Sequence, residues 1–204
     1  MNTTADNDST VFVVDDDPAV LRSLTALVKV VFPHVKAYSS ALEFLEQYHN
    51  DQAGCLVLDV AMPGMNGLEL QRKLADEKIN LPIVFITGHG NVQMAVGAMQ
   101  AGAVNFLEKP FREQDLWDSI RKAIELESQN RRRKARRKEV ELRMLQLTPG
   151  EREVFDLIVE GKFNKDIAAI LNLSVRTVED RRSKLMKKMN ASSVAELVQL
   201  AMTH

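Results

Sequence analysis

Cys55–Gly67 reads CLVLDVAMPGMNG, and this stretch decides the fold. Four apolar residues run unbroken into Asp59, and the chain then turns through Pro63 and Gly64 to Asn66, a residue type suited to cap a helix. A short continuous apolar run bounded by turn signals is a strand covered on both faces, as in a parallel sheet. The Asp59 carboxylate therefore belongs to the C-terminal end of a strand, the edge of α/β sheets at which ligands bind.

The same grammar repeats outward from this stretch. VFVV (11–14) runs into Asp15 and Asp16, IVFI (83–86) into Thr87, and a last apolar run into Lys109 and Pro110. Strands are predicted at Val11–Asp15, Val35–Tyr38, Cys55–Asp59, Ile83–Thr87 and Val104–Leu107. Helices are predicted to start near Pro18, Ser40, Asn66 and Asn91, and a fifth begins near Glu113 and runs past Leu126. Pro18 suits a first helical turn, while Ser40 and Asn66 are N-cap residues. Strands alternating with amphipathic stretches give an α/β fold with a parallel sheet and crossover helices.

In a doubly wound sheet of order 2-1-3-4-5 the first and third strands are neighbours, so Asp15, Asp16 and Asp59 converge at the topological switch point. Crowded carboxylates repel unless a cation joins them, and an oxygen-only site suits octahedral Mg²⁺, with Mn²⁺ as a substitute. Asp59 can then act as a nucleophile that takes up a phosphoryl group. Thr87 offers a hydroxyl and Lys109 a point charge to that group from the same rim. An X-Pro bond adopts cis at low cost, so Pro110 can hold Lys109 towards the acids.

Together, VVDDD (13–17), LDVAMPGMNG (58–67), ITGHG (86–90) and FLEKPF (106–111) closely resemble the receiver domains of two-component response regulators over about residues 10–126. The resemblance implies a flavodoxin-like (βα)5 fold with Asp59 as phosphoacceptor. It implies Mg²⁺ bound by Asp15, Asp16 and the Ala61 main-chain carbonyl, and a switch at Thr87 and Phe106 that reports phosphorylation. A sensor histidine kinase is the implied partner. Such a protein is no enzyme beyond its own phosphoryl transfer and slow autodephosphorylation.

Charge divides the chain: residues 1–126 carry a balance of −7, residues 127–147 +5 and residues 148–204 +1. A polyanionic partner would engage the second half. The run SQNRRRKARRKEVELR (128–143) has no Gly or Pro and reads as a charged helical linker, for which solvated faces are favoured over the alternative of direct DNA contact. Beyond it the pattern is all-α, with four short helices. Thr148, Pro149 and Glu151 form a capping box at the first, which Gly161 stops. Asn164–Leu171 is the second, Asn172–Ser174 a tight turn, Val175–Met189 the third, and Ser193 caps a fourth through Met202. The domains read as 1–126, a linker 127–145, and 146–204.

LTPGEREVFDLIVEGKFNKDIAAILNLSVRTVEDRRSKLMKKM (147–189) resembles the LuxR-type helix-turn-helix of FixJ- and NarL-like response regulators, closest to the FixJ-like subgroup. On the third helix Val178, Leu185 and Met189 line one face and turn inward. The opposite arc holds Arg176, Asp180, Ser183 and Lys187, with Glu179 and Lys184 at its edges, and this helix would enter the major groove of double-stranded DNA. Asn164, Lys165 and Thr177 are candidate phosphate contacts, and Arg182 a further DNA contact. Many members of the family carry Lys at the position of Glu179 and His at that of Arg181, so their base contacts do not transfer there.

The resemblance to FixJ-like receivers implies a homodimer formed on phosphorylation through the fourth helix, fifth strand and fifth helix. On the fourth helix Val92, Ala95, Val96 and Met99 are expected to face inward and Met94, Ala98 and Ala101 outward. RNA polymerase is a further partner of a promoter-bound regulator. Cys55 is the only cysteine and reads as a buried thiol. The most apolar stretch, Val20–Phe32, carries Arg22 and Lys29, and no secretory signal opens the chain, so a cytoplasmic protein without membrane contact is expected.

Two other classes are weighed. An aspartyl-nucleophile phosphatase of the haloacid dehalogenase type needs a second Asp two residues after the first, where this chain has Ala61, and no G-x-G-x-x-G follows the first strand. An output domain that binds protein instead of DNA is the second alternative.

Overall fold

The computed structural model describes residues 9–49, 52–88 and 92–202. The chain divides into two compact units between Asn130 and Arg131. In the first, β1 (Thr10–Val14), α1 (Pro18–Lys29), β2 (Val35–Tyr38), α2 (Ala41–Gln47), β3 (Gly54–Asp59), α3 (Gly67–Asp76), β4 (Ile83–Thr87), α4 (Val92–Gln100) and β5 (Asn105–Glu108) precede α5 (Glu113–Leu145). The strands pair in parallel in the order β2-β1-β3-β4-β5. Three predicted strands differ from the observed bounds by one residue, because apolar periodicity does not mark where ladder hydrogen bonds stop.

The apolar runs of β3 and β4 are buried throughout, as is β1 after Thr10, whereas the flanking β2 and β5 are partly exposed. Successive side chains point to opposite faces. Val11, Val13, Cys55, Val57, Val84 and Ile86 pack with Leu24 and Val28 of α1 and with Leu116 and Ile120 of α5. Phe12, Val14, Leu56, Leu58 and Phe85 pack with Phe44 of α2, Leu70 and Leu74 of α3 and Ala98 of α4. Cys55 is buried within the first layer, and desolvation lifts its thiol far above the usual range, so it is inert.

Helix α4 corrects the expected facing. Ala98 is fully buried and Met94 packs on the core, whereas Val92, Val96 and Met99 are exposed, Val92 by 80%. The expected inward stripe thus faces out, with Ala95 only half-buried, and of the expected outer strip Ala101 alone is exposed. The sequence VQMAVGAMQ is apolar on nearly every side, so its periodicity fixes no phase. The phase is set by tertiary contact, since the Gln71 side-chain amide donates to the Ala98 and Ala101 carbonyls at 3.2 and 3.3 Å. The expected helix start at Asn91 lies outside the described residues.

The second unit contains the end of α5 with α6 (Pro149–Val159), α7 (Asn164–Ile170), α8 (Val175–Met189) and α9 (Val194–Met202). The local signals act as read. Thr148 and Glu151 close a reciprocal capping box, Gly161 adopts φ +82 after α6, and Ser174 Oγ accepts the Thr177 N–H. Val178, Leu185 and Met189 are fully buried among Val154, Ile167 and Leu197. Within the stretch read as a charged helical linker, Val140 and Met144 of α5 are buried in this same core. A charge-dominated run masks two apolar positions four residues apart, the spacing of one helical face.

Candidate functional site

Asp15 follows β1 directly and Asp59 ends β3; these strands are neighbours, with Val14 paired to Leu58. Thr87 ends β4, and Lys109 follows β5, its N–H donating to the Thr87 carbonyl at 2.8 Å. Asp15, Asp59 and Thr87 are buried. The Lys109 ammonium donates to Asp15 Oδ2 and to Asp59 Oδ1, both at 3.0 Å. The Lys109–Pro110 peptide is cis.

The remaining carboxylate oxygens are also engaged. The Ala61 N–H donates to Asp59 Oδ2 at 2.7 Å, and the Asp17 N–H to Asp15 Oδ1 at 3.0 Å. Burial pushes the Asp15 carboxyl up, against the hydrogen bonds from Lys109 and Asp17. Burial also works against the Lys109 ammonium, but its bonds to Asp59 and Asp15 outweigh this and raise it above its ordinary value. The Lys109 ammonium is thus the cation that both carboxylates share. Phe106 lies partly buried, its ring 6.1 Å from that of Phe85.

The structure therefore brings together Asp15, Asp59 and Lys109, with Thr87 beside them. Asp16 and Pro110 are exposed and take no part in that contact. Among the described residues no three His, Cys, Asp or Glu side chains form a closed metal cage. The donors are nonetheless anionic oxygens, which fit a hard divalent cation of the Mg²⁺ kind that binds one or two carboxylates and keeps its waters.

Two contributors escaped the sequence reading. Asp17 caps α1 by accepting the Ala19 and Val20 N–H groups while its own N–H holds Asp15. Its signal was an Asp directly before a helix-starting Pro. Gly67 donates its N–H to the Val60 carbonyl at 3.0 Å, and a Cβ there would stand 2.3 Å from the Asp59 main-chain oxygen. Only tertiary structure reveals that approach.

In the second unit Arg176, Glu179, Asp180, Ser183, Lys184 and Lys187 all lie on the exposed side of α8. Lys184 pairs with Asp180 at 2.8 Å, which raises its ammonium. Glu179 has no hydrogen-bond or ion-pair partner among the described residues, whereas Arg182 donates to Asn164 Oδ1 at 2.6 Å. That bond joins two candidate DNA contacts across α7 and α8. The Thr177 hydroxyl is hydrogen-bonded to Ser174 Oγ at 2.8 Å, Asn164 is half-buried, and Lys165 is exposed. At the far end of α8, Arg143 of α5 donates to the Met189 carbonyl at 2.9 Å.

A buried acid pair and lysine at the switch point of such a sheet, in one chain with a helix-turn-helix, define a signal-responsive transcription regulator. Residues 11–121 match the response regulator receiver domain, and residues 145–201 match the luxR family of bacterial regulatory proteins. The chain is 45% identical to nodulation protein W of Bradyrhizobium diazoefficiens over 204 residues, 99% of this chain and 89% of that protein. It is 42% identical to the transcriptional regulatory protein FixJ of Rhizobium meliloti over 195 residues, covering 96% of each. The solved structure of the response regulator StyR matches with a TM-score of 0.85 at 42% identity, covering 97% of this chain and all of that one. The protein belongs to the two-component response regulators with a LuxR-type DNA-binding output domain, a family of transcription regulators and not of enzymes. Among the described residues no helix is long and apolar enough to cross a membrane.

Proposed function

We propose that Asp59 accepts a phosphoryl group from a partner sensor histidine kinase in a Mg²⁺-dependent step, and that the protein then binds promoter DNA as a dimer to regulate transcription. The observation that supports this best is the Lys109 ammonium shared at 3.0 Å by Asp15 and Asp59. An Asp59 carboxylate oxygen attacks the phosphorus of a phosphohistidine; the O–P bond forms, the N–P bond breaks, and the electron pair returns to the imidazole. Lys109 follows the new charge, and the Thr87 hydroxyl meets a phosphoryl oxygen. Asp15, Asp16, Asp59 and the Ala61 carbonyl would hold Mg²⁺ or Mn²⁺, which when bound neutralises charge on the transferring group. Thr87 and Phe106 pass the change to the surface formed by α4, β5 and α5.

On this reading residues 1–126 receive the signal, 127–145 link, and 146–204 act on DNA. Helix α8 enters the major groove, with Asn164, Lys165, Arg176, Thr177, Arg182, Lys184 and Lys187 serving the backbone or base edges beside Glu179, Asp180 and Ser183. RNA polymerase is the next partner at a promoter.

Incubation with acetyl phosphate and Mg²⁺ should add one hydroxylamine-labile phosphate, read by intact mass. Full labelling of Asp59→Asn overturns the reading. Asp16→Asn should label poorly because Mg²⁺ binds more weakly, and unchanged Mg²⁺ affinity removes Asp16 from the metal site.

A further inference from the structure

We infer that residues 131–138 of α5 form a second DNA-contacting surface, which lies along the phosphate backbone next to the sequence read by α8. The inference rests on the DNA-binding reading of the output domain and adds to it a contact outside the helix-turn-helix. The segment reads RRRKARRK: seven cations, no acid, and Ala135 alone between them. At about 100° per residue these charges surround the helix, so positive charge is presented on every side. All eight residues are exposed, and Arg132, Arg133, Lys134 and Lys138 have no ion-pair partner among the described residues. The pairs Arg133/Arg137 and Lys134/Lys138 stand one helical turn apart, where like charges repel. A polyanion relieves that repulsion, and a segment without an apolar or aromatic anchor is poorly suited to a protein partner.

Its position within the second unit adds a second argument. The helix is fixed to the output core through Val140 and Met144, and Arg143 donates to the Met189 carbonyl at the end of α8. Ser183 and Lys187 of the exposed side of α8 line a groove together with Glu196. The Glu196 carboxylate, held mainly by the Ser192 N–H and hydroxyl, also feels Arg136 and Arg143. The basic segment thus belongs to the helix that Arg143 ties to the end of α8, the end at which this groove lies. At a rise of about 1.5 Å per residue, Arg132 lies roughly 16 Å along the helix from Arg143, well within one turn of B-DNA.

The test uses the full chain with Arg132→Gln, Arg133→Gln, Lys134→Gln and Lys138→Gln combined, and a parallel protein with Arg132→Lys and Arg133→Lys. Binding to a selected duplex and to a random duplex is measured across a salt series. The neutralised protein should bind both duplexes more weakly and show a log–log salt slope shallower by about two to four, near 0.9 per lost phosphate contact. Its selected motif should match that of the wild type, and the lysine protein should keep the wild-type slope because phosphate contacts need charge and not guanidinium geometry. A neutralised protein with the wild-type slope overturns this inference while leaving DNA binding by α8 intact. A lysine protein as weak as the glutamine one also overturns it, since the contact is then not electrostatic. Wild-type protein that binds no duplex at low salt sinks the DNA-binding reading itself, a distinct result.

Discussion

Gly67 lies so close to Asp59 that a Cβ would stand 2.3 Å from the Asp59 main-chain oxygen. The Asp59 backbone is therefore clamped by the first residue of α3, which Asn66 and Glu69 hold in place through a capping box. Gly67→Ala must push the two segments apart. Overpacking of this kind costs about 1–3 kcal/mol, and phosphorylation of Asp59 should slow as its carboxylate is displaced. Urea unfolding and acetyl phosphate labelling read the two effects; wild-type values in both would show that the loop yields freely.

Lys109 is the fixed cation between two buried carboxylates, so Lys109→Met leaves Asp15 and Asp59 facing each other. Because Lys109 is partly exposed, the loss should be about 1–3 kcal/mol, less than for a fully buried pair. Millimolar Mg²⁺ should restore part of that stability in the variant and much less in the wild type. Equal Mg²⁺ effects on both unfolding curves would rule this out.

Glu151 predicts a pH dependence for the output domain. Its carboxylate is held below the usual range, first by Lys188 at 2.7 Å and then by the Thr148 N–H at 2.8 Å. A carboxyl depressed in the folded state stabilises above its ordinary pKa, and that stability is lost as pH falls through the depressed value. Glu151→Gln should thus unfold at lower urea than the wild type near neutral pH, and the gap should close as the solution is acidified through the carboxylate range. A gap that persists at the acid end would mean that the ionised form contributes nothing.

Among the described residues Glu179 has no hydrogen-bond or ion-pair partner on the exposed side of α8, which favours a role in reading sequence. In the major groove a carboxylate can accept from cytosine N4, a contact worth about 1–3 kcal/mol of discrimination. Glu179→Gln should raise non-specific affinity slightly and relax preference at one base pair in each half-site. Selection of binding sites from random duplexes should return a weaker motif; identical motifs would remove Glu179 from base readout.

The outward Val92, Val96 and Met99 of α4 give the proposed dimer its apolar surface. Val96→Asp places a charge there without touching the core, so the monomer should keep its stability. Sedimentation with a phosphoryl mimic should show the wild type gaining mass and Val96→Asp remaining a monomer. If the wild type gains no mass, the dimer reading falls.

Much of this protein is written locally. Unbroken apolar runs ending in Asp59 and Thr87, Asn66 and Thr148 as caps, and Gly161 and Ser174 as punctuation are decided by residues within one or two turns of chain, so the sequence alone sufficed for them. Tertiary structure decided what depends on distant partners. The facing of α4 follows from Gln71, because a helix apolar on nearly every side has no phase of its own. The burial of Val140 and Met144 follows from an output core supplied by other helices, against the charge of their neighbours. The need for Gly67 follows from a close backbone approach, and the capture of Arg182 by Asn164 from the packing of α7 on α8. Side-chain periodicity records which face is apolar but not which surface will cover it, and where several surfaces compete only the assembled fold chooses.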